Sequence, residues 1–133
     1  GAAIRPGLAS GARDVGPAQV LATEVDAADM DALLALSDQL RDRLGSGAAI
    51  LLGARSADRA FLAATLGPDA VAAGLSAADI IRVAAPIVGG GGGGKERLAR
   101  AGGKDPTRLP DAIEAAEDAI LAGLEGNGRP PPE

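Results

Sequence analysis

Residues 89–94 are six consecutive glycines. Ordering such a run costs more than the ~1–2 kcal/mol of backbone entropy that an ordinary residue loses on folding. A folded domain that keeps the run needs close backbone approach to something, positive φ angles, or freedom to stay unordered there. No glycine has a side chain to anchor a core, so the segment is expected to be a loop and among the most mobile internal stretches without a ligand. It follows a helical pattern and precedes a short strand pattern.

The rest of the chain supplies those patterns. Residues 1–17 are rich in Gly, Ala and Pro without a sustained period; they read as a flexible lead-in, the end of an upstream helical region. Residues 18–25 read as a strand between Gly16-Pro17 and Asp26. Residues 29–44 form an amphipathic helix, with Met30, Leu33, Leu34, Leu40 and Leu44 on one face, Asp26 or Asp29 as its cap and Gly45 as its stop. Two apolar runs, 48–54 and 59–65, lie close enough to make a hairpin. Residues 69–74 read as one helical turn. Ser76 and Asp79 carry a helix-start signature. That helix runs to about Val88, with Pro86 set to kink or end it. Leu98-Ala-Arg-Ala101 reads as a short edge strand, and Pro110 opens a last helix through Leu124. Residues 126–133 are polar and proline-rich, a disordered tail. The expected fold is α/β, a small mixed β-sheet layered with helices in the order β-α-β-β-α-β-α, with residues 18–125 as its globular domain.

Composition removes whole classes of chemistry. Histidine and cysteine are absent, so no Ser-His-Asp triad, Cys-His pair or His/Cys zinc site is available within this sequence. Phe61 is the single aromatic residue among 133, which rules out an aromatic platform for stacking RNA bases. The longest apolar stretches fall far short of the roughly 20 residues a bilayer span needs. No membrane partner and a cytoplasmic location are expected. The acidic residues Asp111, Glu114, Glu117 and Asp118 spread along the face of the last helix and read as solvated charge rather than a metal site.

The formal net charge of −5 hides an uneven distribution. Residues 95–108 hold five basic and two acidic side chains, whereas the remaining residues hold eight basic and sixteen acidic ones. Positive charge is therefore concentrated beside the glycines, where an anion would be attracted.

Three readings of the glycine run compete. Gly89-x-x-x-x-Gly94-Lys95 fits a phosphate-binding P-loop as far as the lysine, but Glu96 replaces the hydroxyl that would hold Mg²⁺. The run also leads from helix to strand, so no helix N-terminus faces the anion. The second reading is a low-complexity linker. The third is a glycine loop whose exposed amides and flanking cations meet an RNA backbone.

The residues after the glycines favour the third. Val88 through Pro106, with Lys95-Glu96-Arg97-Leu98-Ala99-Arg100-Ala101-Gly102-Gly103-Lys104 at its centre, closely resembles the glycine motif in the C-terminal domain of alanyl-tRNA synthetases. Ala84, Pro86, Ile87 and Val88 resemble the family's preceding helix end. Asp29-Met30, Leu33, Asp38-Gln39-Leu40 and Arg43-Leu44-Gly45 resemble its first helix. The resemblance covers residues 8–124 in the same element order. Gly91 stands where that family often has a lysine or arginine, Glu96-Arg97 replaces Pro-Asp, and Arg100 replaces Gln; the last two changes add positive charge. A related DHH-associated branch carries Gly-Gly-Gly-His, and the absence of histidine counts against that branch.

The resemblance implies a non-catalytic module that binds the elbow of tRNA (tRNA-Ala) and helps a parent alanine–tRNA ligase aminoacylate and edit. The parent would use ATP, Mg and Zn in its other domains, which are further expected partners, and this fragment would hold no cofactor. No DNA partner is expected. The candidate RNA contacts are Gly89, Gly90, Gly91, Gly92, Gly93 and Gly94 as amide donors, with Lys95, Arg97, Arg100, Lys104 and Arg108 as cations. Alternatives are the C-terminal domain of a free-standing alanyl-tRNA editing protein, a DHH-type phosphoesterase lobe, and an interaction domain with no RNA role. Lacking His, Cys and any ATP-binding constellation, the isolated chain is expected to form no alanyl-tRNA and to deacylate no mischarged tRNA. Product formation above a buffer control in either assay would contradict this.

Overall fold

Helix α1, Met30–Leu44, starts where Asp29 accepts a hydrogen bond from the Ala32 amide at 2.9 Å, satisfying one of the orphan donors of its first turn. It stops at Gly45, whose φ of +87° lets the chain leave the helix without the penalty a side chain would incur. The computed structural model describes residues 11–128, with side chains through Glu125. Its other elements are β1 (Arg13–Val15), β2 (Ala18–Glu24), β3 (Ala48–Arg55), β4 (Ala60–Leu66), α2 (Pro68–Ala72), α3 (Ala77–Ala84), β5 (Gly90–Gly94), β6 (Leu98–Gly103) and α4 (Leu109–Gly128).

One six-stranded sheet runs in the order β1-β2-β3-β4-β6-β5. Among the described residues only β2 and β3 pair parallel, joined by α1 as a crossover; every other described pairing is antiparallel. β3 is central, and its residues Ala48 through Ala54 are all buried, which explains its unbroken apolar run. One sheet face packs against α1 through Leu33, Leu36 and Leu40 over Ile50, Leu52 and Ala63. The other packs against α3 and α4, with Ile81, Ala84, Ala112, Ala116 and Ile120 over Val20, Leu51, Leu62 and Ala64. Each fully buried Leu or Ile contributes about 1.5–3 kcal/mol of transfer free energy.

The expected mixed α/β sheet is present, with the following differences from the sequence reading. Arg13–Val15 adds a strand, paired antiparallel to β2 and lying within the stretch read as a lead-in. The glycines are not a loop: residues 90–94 form β5, paired in unbroken register with β6. Leu98–Gly103 is consequently not an edge strand, because it lies between β4 and β5. On α1 the buried stripe is Leu33, Leu36, Ser37 and Leu40; Met30, Leu34 and Leu44 are only partly buried. Pro86 does end the helix early, in a 3₁₀ turn at Ala85–Val88. The last helix continues past Leu124 to Gly128. The readings of residues 1–10 and 129–133 lie outside the described residues.

Close packing explains how glycines can form a strand here. A Cβ added to Gly90, Gly92 or Gly94 would land on the carbonyl oxygen of Gly102, Arg100 or Leu98 in β6. At Gly91 and Gly93 nothing lies within 4 Å of that point. Gly89 needs its glycine for another reason, its φ of +69°.

Two outcomes test this account. Gly92→Ala should destabilise the chain by about 1–3 kcal/mol or more, because backbone must move to admit the methyl. Gly93→Ala should be neutral or slightly stabilising, within about 1 kcal/mol; chemical-denaturation midpoints of the two variants decide it. The second concerns Ser37 and Thr65, whose buried hydroxyls bond each other between α1 and β4. Ser37→Ala should cost about 1–3 kcal/mol by orphaning the Thr65 hydroxyl, and Thr65→Val added to it should recover most of that loss in the same assay.

Candidate nucleic-acid interface

The hairpin β5–β6 carries the glycines and the cations together. Its turn is closed by the Lys95 amide donating to the Leu98 carbonyl at 2.8 Å. The carbonyls of Glu96 and Lys95 accept from the amides of Ala77 and Ala78 at 2.8 and 3.1 Å. The start of α3 is thus occupied by protein carbonyls, with Ser76 also accepting from Asp79, and offers no free amides to a phosphate. Nucleotide binding in the P-loop manner has no structural basis here.

Antiparallel pairing alternates, so the Lys95–Leu98 bond fixes the pattern of the whole ladder. Gly91 and Gly93, opposite Gly102 and Arg100, turn their amides toward β6; Gly90, Gly92 and Gly94 direct theirs to the open edge. Of the glycine amides expected as donors, alternate ones are already used within the sheet.

The two faces of the hairpin differ. Ala99, Ala101 and Gly103 are buried toward α3 and α4. Leu98, Arg100 and Gly102 point to the α1 side, since they lie opposite Thr65, Ala63 and Phe61, which pack toward α1. α1 covers β3 and β4 and stops short of β6. The result is a bare strip of sheet, a hollow of about 280 Å³ lined by Met30, Gly91, Gly92, Gly93, Arg100, Ala101 and Gly102.

Cations surround this strip. Lys95 and Arg97 sit in the turn, Arg100 on the strip itself and Lys104 just beyond β6, all exposed. None of the four has a carboxylate partner among the described residues. Arg108 is different, because its guanidinium is bonded to Asp111 at 3.1 Å. Arg97 lines a second shallow hollow with Arg41, Ser46 and Gly67, at the end of α1. Elsewhere most of the described arginines are paired, Arg43 and Arg59 excepted: Arg13 with Glu117, Arg41 with Asp38 and Asp42, Arg82 with Asp79, and Arg55 with both oxygens of Glu24. The Glu24 hydrogen bonds raise the Arg55 pKa further above its ordinary value.

Sequence reasoning missed Arg59. It lies immediately before β4, is exposed, and brings a guanidinium nitrogen to 3.5 Å from where a Cβ on Gly102 would stand. It therefore lies over the same strip as Arg100. Only the pairing of β4 with β6 brings a residue 43 positions away from Gly102 onto that surface. Both ladders run through Gly102 and Gly103 unbroken; at Gly103 an added Cβ would strike the Val88 carbonyl. Among the described residues no group of three or more His, Cys, Asp or Glu side chains forms a metal site. No described helix is long and apolar enough to cross a membrane.

A small mixed sheet with one face fully covered and a glycine-rich, cation-lined hairpin left open on the other defines a particular kind of domain. Residues 18–122 match the family described as the DHHA1 domain, and the chain belongs to that family. It is 45% identical over 113 residues to an alanine–tRNA ligase of Pelotomaculum thermopropionicum, covering 85% of this chain and 13% of that protein. An alanine–tRNA ligase of Myxococcus xanthus is 46% identical over 109 residues, covering 82% and 12%. The chain thus spans about one-eighth of the length of these relatives. Its fold is similar to the C-Ala domain of Aquifex aeolicus alanyl-tRNA synthetase, with a TM-score of 0.71 at 23% identity, covering 83% of this chain and 97% of that one. A DHH-domain structure described as a member of the s1p family of ribosomal proteins shares the fold more distantly, with a TM-score of 0.55 at 15% identity, covering 87% of this chain and 29% of that one.

Proposed function

We propose that this chain is the tRNA-binding C-terminal module of an alanine–tRNA ligase, docking on the elbow of tRNA and helping the parent enzyme hold it for aminoacylation and editing. The observation that carries the reading is the set of unpaired cations at Lys95, Arg97, Arg100 and Lys104, strung along a hairpin whose exposed face is mostly glycine backbone. An acidic chain that neutralises its other described arginines in ion pairs, Arg43 and Arg59 excepted, leaves these four free. Positive charge beside side-chain-free backbone suits a phosphodiester chain, which needs cations and close approach rather than a shaped apolar pocket.

The relatives' identity as alanine–tRNA ligases supports the choice of tRNA. ATP, Mg and Zn belong, in this reading, to other domains of the parent, which are the module's remaining partners in the cytoplasm. The sheet offers no aromatic side chain for base stacking on this face other than the partly buried Phe61, so binding rests on backbone and shape.

About three or four phosphate contacts should give a log–log salt slope of about −2.1 to −3.6, at roughly −0.7 to −0.9 per contact. Lys95→Gln with Lys104→Gln should weaken tRNA binding at least tenfold and make the slope shallower by about 1.4–1.8. Arg13→Gln, at the opposite sheet edge, and Arg82→Gln, on α3, should leave both quantities unchanged. Fluorescence-anisotropy titrations across salt concentrations measure all of these, and equal losses from both sets would place the footprint elsewhere.

A further inference from the structure

Two routes exist for an RNA strand beside these cations. It can run along the open edge of β5, bonding the amides of Gly90, Gly92 and Gly94, or it can cross the bare face between β5 and the first turn of α1. The face carries its own set of groups. Gly91 lies opposite Gly102 and Gly93 opposite Arg100, so three of four positions in this two-by-two patch have no side chain. The fourth is an exposed arginine. Arg59 reaches over Gly102 from the adjacent strand, and Met30 forms the wall on the α1 side.

We propose that Arg59 and Arg100 clamp one RNA sugar–phosphate strand against this glycine floor, and that the face rather than the edge is the RNA path. This rests on the tRNA-binding reading above and adds to it a site, a direction of approach and a residue, Arg59, outside the glycine motif. Three features favour the face. Arg59 and Arg100 both project there, and neither has a carboxylate partner among the described residues. The two rows of the patch are about 7 Å apart along the strands, which lets each arginine meet a different phosphate of one strand. The open edge, by contrast, alternates amide donors with carbonyl oxygens, and the carbonyls repel phosphate.

The glycines give a further reason. β5 requires glycine at 90, 92 and 94 because side chains there would strike β6, but no such requirement exists at 91 and 93. Bare positions facing open space are explained if a ligand approaches the backbone there. A guanidinium on each side then supplies planar donors matched to phosphate oxygens.

The experiment uses the 133-residue chain and a tRNA transcript in anisotropy titrations. Gly91→Ile with Gly93→Ile adds two side chains whose Cβ positions have nothing within 4 Å, keeps every charge and leaves the edge amides of Gly90, Gly92 and Gly94 free. On the face route tRNA affinity falls more than tenfold with circular dichroism and thermal midpoint unchanged; on the edge route affinity is unchanged, and the clamp is wrong. Arg59→Gln and Arg100→Gln, which are surface changes, give an independent reading should the isoleucine variant fold poorly. Each should weaken binding about threefold to tenfold and reduce the salt slope by about 0.7–0.9. Loss at Lys95 and Lys104 with no loss at Arg59 overturns the clamp while leaving the tRNA reading intact. No binding by the wild-type chain overturns both.

Discussion

The seating of β5 on β6 is the contact on which the rest of the candidate interface depends. The two backbones lie so close that Gly90, Gly92 and Gly94 admit no side chain, the carbonyls of β6 occupying the space. That seating ties residues 90–94 into the sheet, puts Lys95 and Arg97 in a short turn, and brings the turn's carbonyls against the first amides of α3. The glycine run thereby loses backbone freedom without side-chain burial of its own. What offsets the loss is the ladder to β6, whose other side is bonded to β4 and whose Ala99 and Ala101 are buried in the α3–α4 core.

Uneven helix coverage decides which part of the sheet is available. α3 and α4 together span their face from β2 to β5, whereas α1 lies chiefly over β3 and β4. The consequence is a domain with one closed face and one half-open face. On the open half the exposed positions are glycine, arginine and Leu98, which is 42% exposed. An ordinary sheet face of that kind would be a liability for association. Here the glycines keep it low in apolar area and Arg59 and Arg100 keep it charged.

Charge follows the same division. The ion pairs of Arg13, Arg41, Arg55 and Arg82 are solvent-exposed and worth little each. Their effect is on the field: they cancel positive potential away from the hairpin. The cations left without partners then dominate locally despite a net charge of −5. Arg108, read from the sequence as one of the hairpin's cations, belongs with the neutralised group because Asp111 lies one helical turn away.

Much of this was legible in the residues themselves. Period and caps give α1 its Asp29 start and Gly45 stop, the apolar run of β3 its central place, Ser76 the start of α3, and Pro86 its early end, because each is a local matter of backbone geometry and hydrogen-bond accounting. The clustering of positive charge at residues 95–108 is likewise a property of sequence alone. The glycine strand was not legible, because glycine has no strand preference and only the close approach of β6 makes one of it. Nor was Leu36 over Leu34 on α1, a choice made by the angle at which the helix meets the sheet. Arg59 owes its position beside Gly102 to strand pairing across 43 residues of chain, and Arg108 its partner to a rotamer. Sequence by itself determined the elements other than β1 and β5, their order and where positive charge gathers. Tertiary structure alone decided which face of the hairpin is left open, since that depends on how far α1 reaches across a sheet assembled from strands distant in sequence.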